Sequence, residues 1–130
     1  MQLLRLDPDD LDARLGLARV RSWSGDLAAA RMDYTAILKD HPGHHDAMLG
    51  LAQTYAWSGD LVEARRHYQD LRGTAASDKD ADLGIGYLDL WEGDIARAND
   101  TARRLKSWYP DDHDVAELWL AARSDRKSVV

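Results

Sequence analysis

A histidine-rich segment, His41-Pro42-Gly43-His44-His45 followed by Asp46, carries the densest set of metal-binding side chains in the sequence. Imidazole and carboxylate groups at such spacing are ligands for Zn²⁺ or Ni²⁺. A second segment, Asp78 to Asp82, begins like a calcium loop but has Leu83 where that loop requires glycine. The histidines do not recur at equivalent positions elsewhere, and Pro42-Gly43 indicates a turn. We therefore predict neither a metal site nor a cofactor.

Motifs for catalysis are missing from the sequence. It has no nucleotide-binding glycine loop, no serine elbow and no His-Glu-x-x-His helix. The absence of cysteine excludes thiolate nucleophiles, disulfides and cysteine-bound metals. His67 and Asp70 share a helical spacing that is typical of a solvated surface. The sequence therefore predicts a protein that is not an enzyme.

Charge and hydropathy restrict the partners. The chain of 130 residues has a formal net charge of −6, whereas nucleic acids and anionic lipids select a surplus of lysine and arginine. No apolar run approaches the ~18 residues of a membrane-spanning helix. Hydrophobic residues make up 45% of the chain, which is enough for a folded core. We expect no nucleic acid partner and no membrane insertion of this segment.

Three tryptophans, Trp23, Trp57 and Trp91, are spaced 34 residues apart, and a Gly-Asp pair follows each of them. These pairs are Gly25-Asp26, Gly59-Asp60 and Gly93-Asp94. The prolines Pro8, Pro42 and Pro110 occupy equivalent positions of the same 34-residue repeat. A fixed period of this length indicates an internal structural repeat.

Within each repeat the apolar spacing is helical on both sides of the Gly-Asp pair. In the first repeat it runs through Ala13, Leu17 and Val20, and then through Leu27, Ala30, Tyr34 and Ile37. Glycine can end the first helix in a left-handed conformation, and the aspartate can cap the second. Pro42 and Pro110 predict that the second helices end near His41 and Tyr109. Each repeat is therefore predicted to be an antiparallel helical hairpin.

The repeat resembles the tetratricopeptide repeat (TPR). The family's small residue in the first helix is matched by Ala18, Ala52 and Gly86, its turn glycine by Gly25, Gly59 and Gly93, and its alanine in the second helix by Ala30, Ala64 and Ala98. The family's second-helix aromatic residue is Tyr34 and Tyr68 but Ala102 in the third repeat. The chain departs from the usual first-helix tryptophan, where it has Arg14, Met48 and Asp82. The resemblance implies an all-α, right-handed α-solenoid of antiparallel hairpins.

This register predicts three repeats, at residues 11–44, 45–78 and 79–112. Residues 1–8 are predicted to be the tail of a preceding second helix, and residues 113–125 a capping helix or the start of a fourth repeat, followed by a tail at 126–130. We expect a fragment of a longer array rather than a chain with makeshift caps. Leu3, Leu4 and Leu6 are the residues that would pair two copies of an incomplete end.

By the same resemblance, one face of the first helices lines a concave groove. The predicted ligand-binding residues are Trp23, Trp57, Trp91, Asp12, Asp46, Asp80, Leu15, Leu49, Leu83, Arg19, Gln53 and Tyr87. Each indole either packs across its hairpin turn or offers a ring face to a ligand, and the sequence leaves both interpretations open. A carboxylate clamp is not expected, because this face has one arginine and no lysine or asparagine.

Three functions follow from this groove. We favour a non-enzymatic module that binds a protein or peptide, since hydrophobic and acidic grooves accept amphipathic or extended segments. The alternative is polysaccharide binding. The Trp-Ser-Gly-Asp motif of two repeats also resembles the periplasmic TPR segments of bacterial outer-membrane exopolysaccharide-export proteins. A third possibility is a passive spacer with buried tryptophans. A periplasmic location is favoured if the export resemblance holds, and a cytoplasmic one otherwise.

Overall fold

The computed structural model describes residues 10–72 and 78–128, the side chains of 78 and 125–128 excepted. Every regular element in these residues is a helix: α1 Leu11–Trp23, α2 Leu27–Asp40, α3 His45–Trp57, α4 Leu61–Arg72, α5 Asp78–Trp91, α6 Ile95–Trp108 and α7 His113–Ser128. None of these helices is long and apolar enough to cross a membrane. The prediction of an all-α chain is confirmed. The predicted tail 1–8, with Leu3, Leu4 and Leu6, lies outside the described residues, as do Val129 and Val130.

The Gly-Asp pairs form the turns inside the hairpins. The glycines have left-handed backbones, with φ of 92° at Gly25, 87° at Gly59 and 86° at Gly93. Each aspartate carboxylate accepts a hydrogen bond from the N–H three residues later, from Ala29 at 3.3 Å, Glu63 at 3.2 Å and Arg97 at 3.2 Å. Both roles predicted for the pair, helix stop and helix cap, are confirmed.

The two prolines end helices where the sequence predicts. α2 ends at Asp40, and the N–H of His41 donates to the carbonyl of Ile37 at 2.8 Å. α6 ends at Trp108, and the N–H of Tyr109 donates to the carbonyl of Leu105 at 2.7 Å. Proline disfavours a helical conformation in the residue before it, so neither helix can continue.

The described contacts group the chain into two compact units, Met1–His67 and Tyr68–Val130. In the first unit α2 packs against both α1 and α3. The core takes residues from all three helices: Leu15, Ala18, Ala30, Tyr34, Ile37, Ala47 and Leu51. Arg21 of α1 also donates to both carboxylate oxygens of Asp33 in α2, at 2.8 and 2.7 Å. Apolar burial provides most of the stability, because partly exposed ion pairs contribute only ~0–1 kcal/mol each.

In the second unit α6 packs against both α5 and α7. Its main core cluster consists of Leu83, Ala102, Leu105, Val115 and Leu118. The buried carboxylate of Asp82 lies 3.1 Å from Nε of Arg72 and 3.6 Å from Nη2 of Arg104. A buried carboxylate requires such partners, since an unpaired charge there would be strongly destabilising. An ion-pair network therefore holds Asp82 at the position where the resembled repeat has tryptophan.

A tyrosine and a glycine form a matched pair in each unit. A Cβ atom on Gly50 would lie 2.3–2.8 Å from ring atoms of Tyr34, and one on Gly84 would lie 2.3–2.6 Å from the ring of Tyr68. Both rings therefore pack directly on the backbone of the next helix. One repeat further on, Ala102 stands in place of the tyrosine and Leu118 in place of the glycine, and both are fully buried. Here the large side chain, Leu118, lies on α7 rather than on α6.

We expect the phenol of Tyr68 to ionise well above the ordinary tyrosine value of 10.0, because burial raises its pKa to about 12. The neutral phenol then stabilises the fold below pH 10.0, and this contribution is lost as the pH rises through about 12. Ultraviolet titration of phenolate in the folded chain should show a late step that disappears in Tyr68→Phe. A titration in which Tyr68→Phe removes an ordinary step instead would contradict this assignment.

Candidate functional site

A small cleft of about 80 Å³ lies in the first unit, between α1 and α3. α1 contributes Arg19, Ser22 and Trp23. α3 contributes Asp46, Leu49, Gly50, Gln53 and Trp57. Tyr34 of α2 completes the lining. The cleft combines aromatic surface with one cation, one anion and neutral polar groups.

Tyr34 forms the buried part of this lining, because its ring fills the space that Gly50 leaves open. Burial raises the pKa of the Tyr34 phenol, Asp33 and Asp46 raise it further, and Arg19 lowers it. The phenol is therefore neutral at physiological pH. A neutral hydroxyl can both donate and accept a hydrogen bond.

Arg19 and Asp46 form the charged part of the cleft. Nη2 of Arg19 lies 3.5 Å from Oδ2 of Asp46, and both side chains are about half exposed. Nδ1 of His45 lies 3.2 Å from the other carboxylate oxygen of Asp46. A long, exposed ion pair contributes only ~0–1 kcal/mol. Both charges can therefore be shared with a ligand at little cost to the fold.

Trp23 ends α1 and Trp57 ends α3, and their side chains are 73% and 48% exposed. Elsewhere aromatic rings have partners: Tyr55 contacts the guanidinium of Arg31 at 4.2 Å and the ring of His67 at 4.8 Å. Among the described residues, neither Trp23 nor Trp57 has a ring or cation contact of this kind. Each indole thus leaves ring surface open beside the cleft.

Comparison with known proteins supports the interpretation of this architecture. Residues 24–82 match the family model of the tetratricopeptide repeat. The chain is similar to the type III secretion translocator chaperone SycD of Yersinia enterocolitica, with a TM-score of 0.75 and 17% identity over 98% of this chain and 88% of that one. The fold is that of the tetratricopeptide repeat. A second similar structure is the C-terminal TPR-containing domain of an FK506-binding protein from Plasmodium falciparum, with a TM-score of 0.69 and 14% identity over 90% and 88% of the two chains. No curated protein sequence matches the chain.

In the first unit the fold brings together part of the residue set that the sequence predicts. The predicted residues that line the cleft are Arg19, Trp23, Asp46, Leu49, Gln53 and Trp57. Asp12 is exposed in the first turn of α1, outside this lining.

Leu15 and Leu83, two residues of the predicted ligand-binding set, are core residues. Leu15 packs in the core of the first unit and Leu83 in that of the second, with only 4% and 8% of their surfaces exposed. Side chains buried in this way cannot offer contact area to a ligand. Leu15 shares its core cluster with residues of α2 and α3, and Leu83 shares its cluster with residues of α6 and α7.

In the second unit, Trp91 is 52% exposed and Tyr87 is partly buried. Their ring centroids lie 6.1 Å apart. Burial raises the pKa of the Tyr87 phenol, and the carboxylates of Glu117 and Asp114 raise it further. Asp80 is partly buried in the first turn of α5. Trp91 therefore differs from Trp23 and Trp57, because part of its ring surface already faces a tyrosine.

The predicted set lacks three residues that line the cleft, Ser22, Tyr34 and Gly50. The signal that identifies Tyr34 and Gly50 is the glycine of the repeated Leu-Gly-Leu or Leu-Gly-Ile motif, at Gly16, Gly50 and Gly84. A glycine inside a helix reduces helix stability, so its repeated use there indicates close approach by another group. In α3 that group is the Tyr34 ring.

The histidine segment has structural roles. His41 is the C-cap of α2, and Nδ1 of His44 accepts a hydrogen bond from the N–H of Ala47 as the N-cap of α3. The described residues contain no group of three or more side chains placed to hold a metal ion. The acidic segment from Asp78 to Asp82 is the first turn of α5 rather than a loop.

Proposed function

We propose that this chain is a non-enzymatic TPR module that binds a protein or peptide segment in the cleft between α1 and α3. The observation that carries the proposal is the pair of exposed indoles, Trp23 and Trp57, without ring or cation partners in the described part of the chain. Exposed aromatic side chains beside a polar cleft are typical contact residues of protein interfaces.

The charges of the cleft indicate what the segment offers. Arg19 and Asp46 already balance each other, so a strongly charged ligand gains little there. Gln53, Ser22 and the Tyr34 phenol are neutral polar groups suited to peptide N–H and C=O groups. We therefore propose an extended or helical segment with apolar side chains for the indoles and an exposed backbone or polar side chain for the cleft.

Polysaccharide remains the second candidate, and the flatness and exposure of the indoles favour it. Sugar rings present C–H faces that pack on indoles, and their hydroxyls can bond to Asp46 or Gln53. The sequence resemblance to exopolysaccharide-export proteins would support this candidate, and a periplasmic location would follow from it. The spacer hypothesis requires buried tryptophans and is disfavoured by the exposure of Trp23, Trp57 and Trp91.

We expect Trp57→Ala to weaken binding of peptides selected on this chain by about tenfold or more, since truncating an aromatic anchor typically removes 2 kcal/mol or more. A phage-displayed library of short peptides would be selected on the wild-type chain. Affinities for the chosen peptides would then be measured by calorimetry. Trp108→Ala is the matched control, because Trp108 is also exposed but lies on α6 outside the cleft.

Neutral, amine-bearing and uronate-bearing oligosaccharides would be titrated in parallel against the same variants. Saturable binding of a sugar that Trp57→Ala abolishes would replace the peptide proposal by the polysaccharide one. Peptides that bind both variants as tightly as the wild-type chain would show that the cleft is not their site.

A further inference from the structure

The lining of the cleft between α1 and α3 is richer in hydrogen-bond donors than in acceptors. The indole N–H groups of Trp23 and Trp57 and the guanidinium of Arg19 can donate but cannot accept. The carboxylate of Asp46 is an acceptor, but one of its oxygens lies 3.5 Å from Nη2 of Arg19 and the other 3.2 Å from Nδ1 of His45. A ligand that offers carbonyl groups therefore fits this lining better than one that offers N–H groups.

Proline is the residue that brings a backbone carbonyl without a backbone N–H. Proline-rich segments adopt the polyproline II helix, which has no internal hydrogen bonds, so its carbonyls remain available to donors. Such segments dock in grooves lined by aromatic rings, and little conformational entropy is lost because the helix is formed before binding. The cleft has an exposed indole from each of its two helices, Trp23 from α1 and Trp57 from α3.

The spacing of the two indoles matches the period of this helix. Trp23 and Trp57 are equivalent residues, 34 positions apart in the sequence, on two helices that contact each other. Contacting helices lie about 8–10 Å apart. Three residues of polyproline II make one turn and advance about 9 Å, so residues three apart lie on one side of the segment at that distance.

Other backbone conformations fit the cleft less well. In a β-strand, residues three apart lie on opposite faces, and its N–H groups would require acceptors that the lining lacks. An α-helix is about 10–12 Å wide, which is broad for a cleft of about 80 Å³, and its backbone carbonyls are already hydrogen-bonded.

We propose that the cleft binds a proline-rich segment of a partner protein in the polyproline II conformation, with two prolines three residues apart packed on Trp23 and Trp57. This inference rests on the proposed function and names the segment that the cleft selects. Arg19 and Asp46 balance each other, so the part of the segment in the cleft is uncharged. The amide of Gln53 and the hydroxyl of Tyr34 donate to its carbonyls.

The 130 residues do not supply such a segment. Their three prolines are Pro8, Pro42 and Pro110, and no two of them lie three residues apart. The lining residues of α1 also belong to its second half, about 13 Å or more along the helix axis from Asp10, where the described chain begins. The segment is therefore expected on a partner.

The test compares two fluorescent dodecapeptides of identical composition, each added to the full chain. PAQPAQPAQPAQ has prolines three residues apart, whereas PPAQAQPPAQAQ has no two prolines at that spacing. Fluorescence anisotropy should show saturable binding of the first peptide. Binding of the second peptide should be about tenfold weaker or more, because it can place a proline on only one indole at a time.

Variants of the chain test the two kinds of contact separately. Trp57→Ala should weaken binding of the first peptide about tenfold or more, and Trp108→Ala, at an exposed position outside the cleft, should leave it unchanged. Gln53→Glu keeps the size of the side chain but replaces an amide donor by a carboxylate that only accepts, so it should weaken binding about threefold to tenfold. Gln69→Glu is the matched control, because Gln69 is exposed on α4 outside the cleft.

Several results would overturn the proposal. They are the failure of the first peptide to saturate the chain below about 1 mM, equal binding of the two peptides, and unchanged binding to Trp57→Ala. Unchanged or tighter binding to Gln53→Glu would also overturn it, since the ligand would then not depend on donors from the cleft. If library-selected peptides without the proline spacing lose affinity for Trp57→Ala, the proposed function stands and only this inference fails. If no peptide depends on Trp57, both fail.

Discussion

Leu118→Ala should lower the free energy of unfolding by about 2–5 kcal/mol, the usual cost of a cavity at a fully buried leucine. Leu118 is completely buried in α7 and packs with Ala102 and Leu105 of α6. Its Cδ2 also lies 2.7 Å from where a Cβ on Gly86 would be. Small neighbours such as Ala102 and Gly86 cannot fill the space that the leucine leaves. Urea denaturation gives the change, and hydrogen exchange should show faster opening of α7 amides.

Leu120→Ala is the control for this experiment, because Leu120 lies on the same helix but is exposed. A surface change of this kind normally stays within about 0.5 kcal/mol. Adding Gly86→Ala to Leu118→Ala should recover part of the loss, since the new methyl group enters the vacated volume. If Leu118→Ala cost no more than Leu120→Ala, the anchoring role of Leu118 would be wrong.

Gly50→Ala should destabilise the first unit by about 1–3 kcal/mol, the typical effect of overpacking a core. The added Cβ would lie 2.3–2.8 Å from the ring of Tyr34, which is buried and cannot swing aside. Because Tyr34 also lines the cleft, a displaced ring should change the environment of Trp57. Denaturant unfolding and tryptophan fluorescence measure the two effects.

Gly16→Ala is the matched comparison, since the same substitution on α1 meets no described atom within 4 Å. It should be neutral or stabilising by about 0.5–1 kcal/mol, as alanine is the better helix former. A double-mutant cycle with Tyr34→Ala should abolish the penalty of Gly50→Ala. Equal effects of Gly50→Ala and Gly16→Ala would contradict the packing of the ring on Gly50.

The fold could be predicted because the repeat marks its own turns. Glycine at a left-handed position, aspartate at a helix start and proline after a helix act locally, so Gly25-Asp26 and Pro42 define helix ends without reference to the rest of the molecule. The same signals recur at a fixed period, which makes a chance pattern improbable. Local signals therefore sufficed for the positions of helices.

The site was harder to predict, because exposure depends on neighbours. The repeat pattern places both Leu15 and Trp23 on the groove, yet Leu15 is buried in the core of the first unit and Trp23 is largely exposed. Whether an indole at a helix end packs or protrudes depends on which side chains its turn brings close. Spacing along one helix does not contain that information.

Substitutions that compensate each other in volume could not be predicted from the sequence pattern either. The repeat pattern marks Ala102 only as the loss of an aromatic residue, and Leu118 only as one residue of an amphipathic helix. Only the packing of α6 on α7 shows that the two changes offset each other in volume. A pairwise contact between residues on different helices has no signature in the periodicity of either helix.

The difference between the Tyr–Gly and Ala–Leu pairs limits how such an array can lengthen or shorten during evolution. A duplication or deletion of 34 residues brings two helices together that were not neighbours before. It preserves packing when one of these helices carries the tyrosine and the other the glycine. A junction of Tyr68 with Leu118 would force two large side chains into one space, and a junction of Ala102 with Gly84 would leave a hole. The third hairpin and α7 must therefore be inherited together.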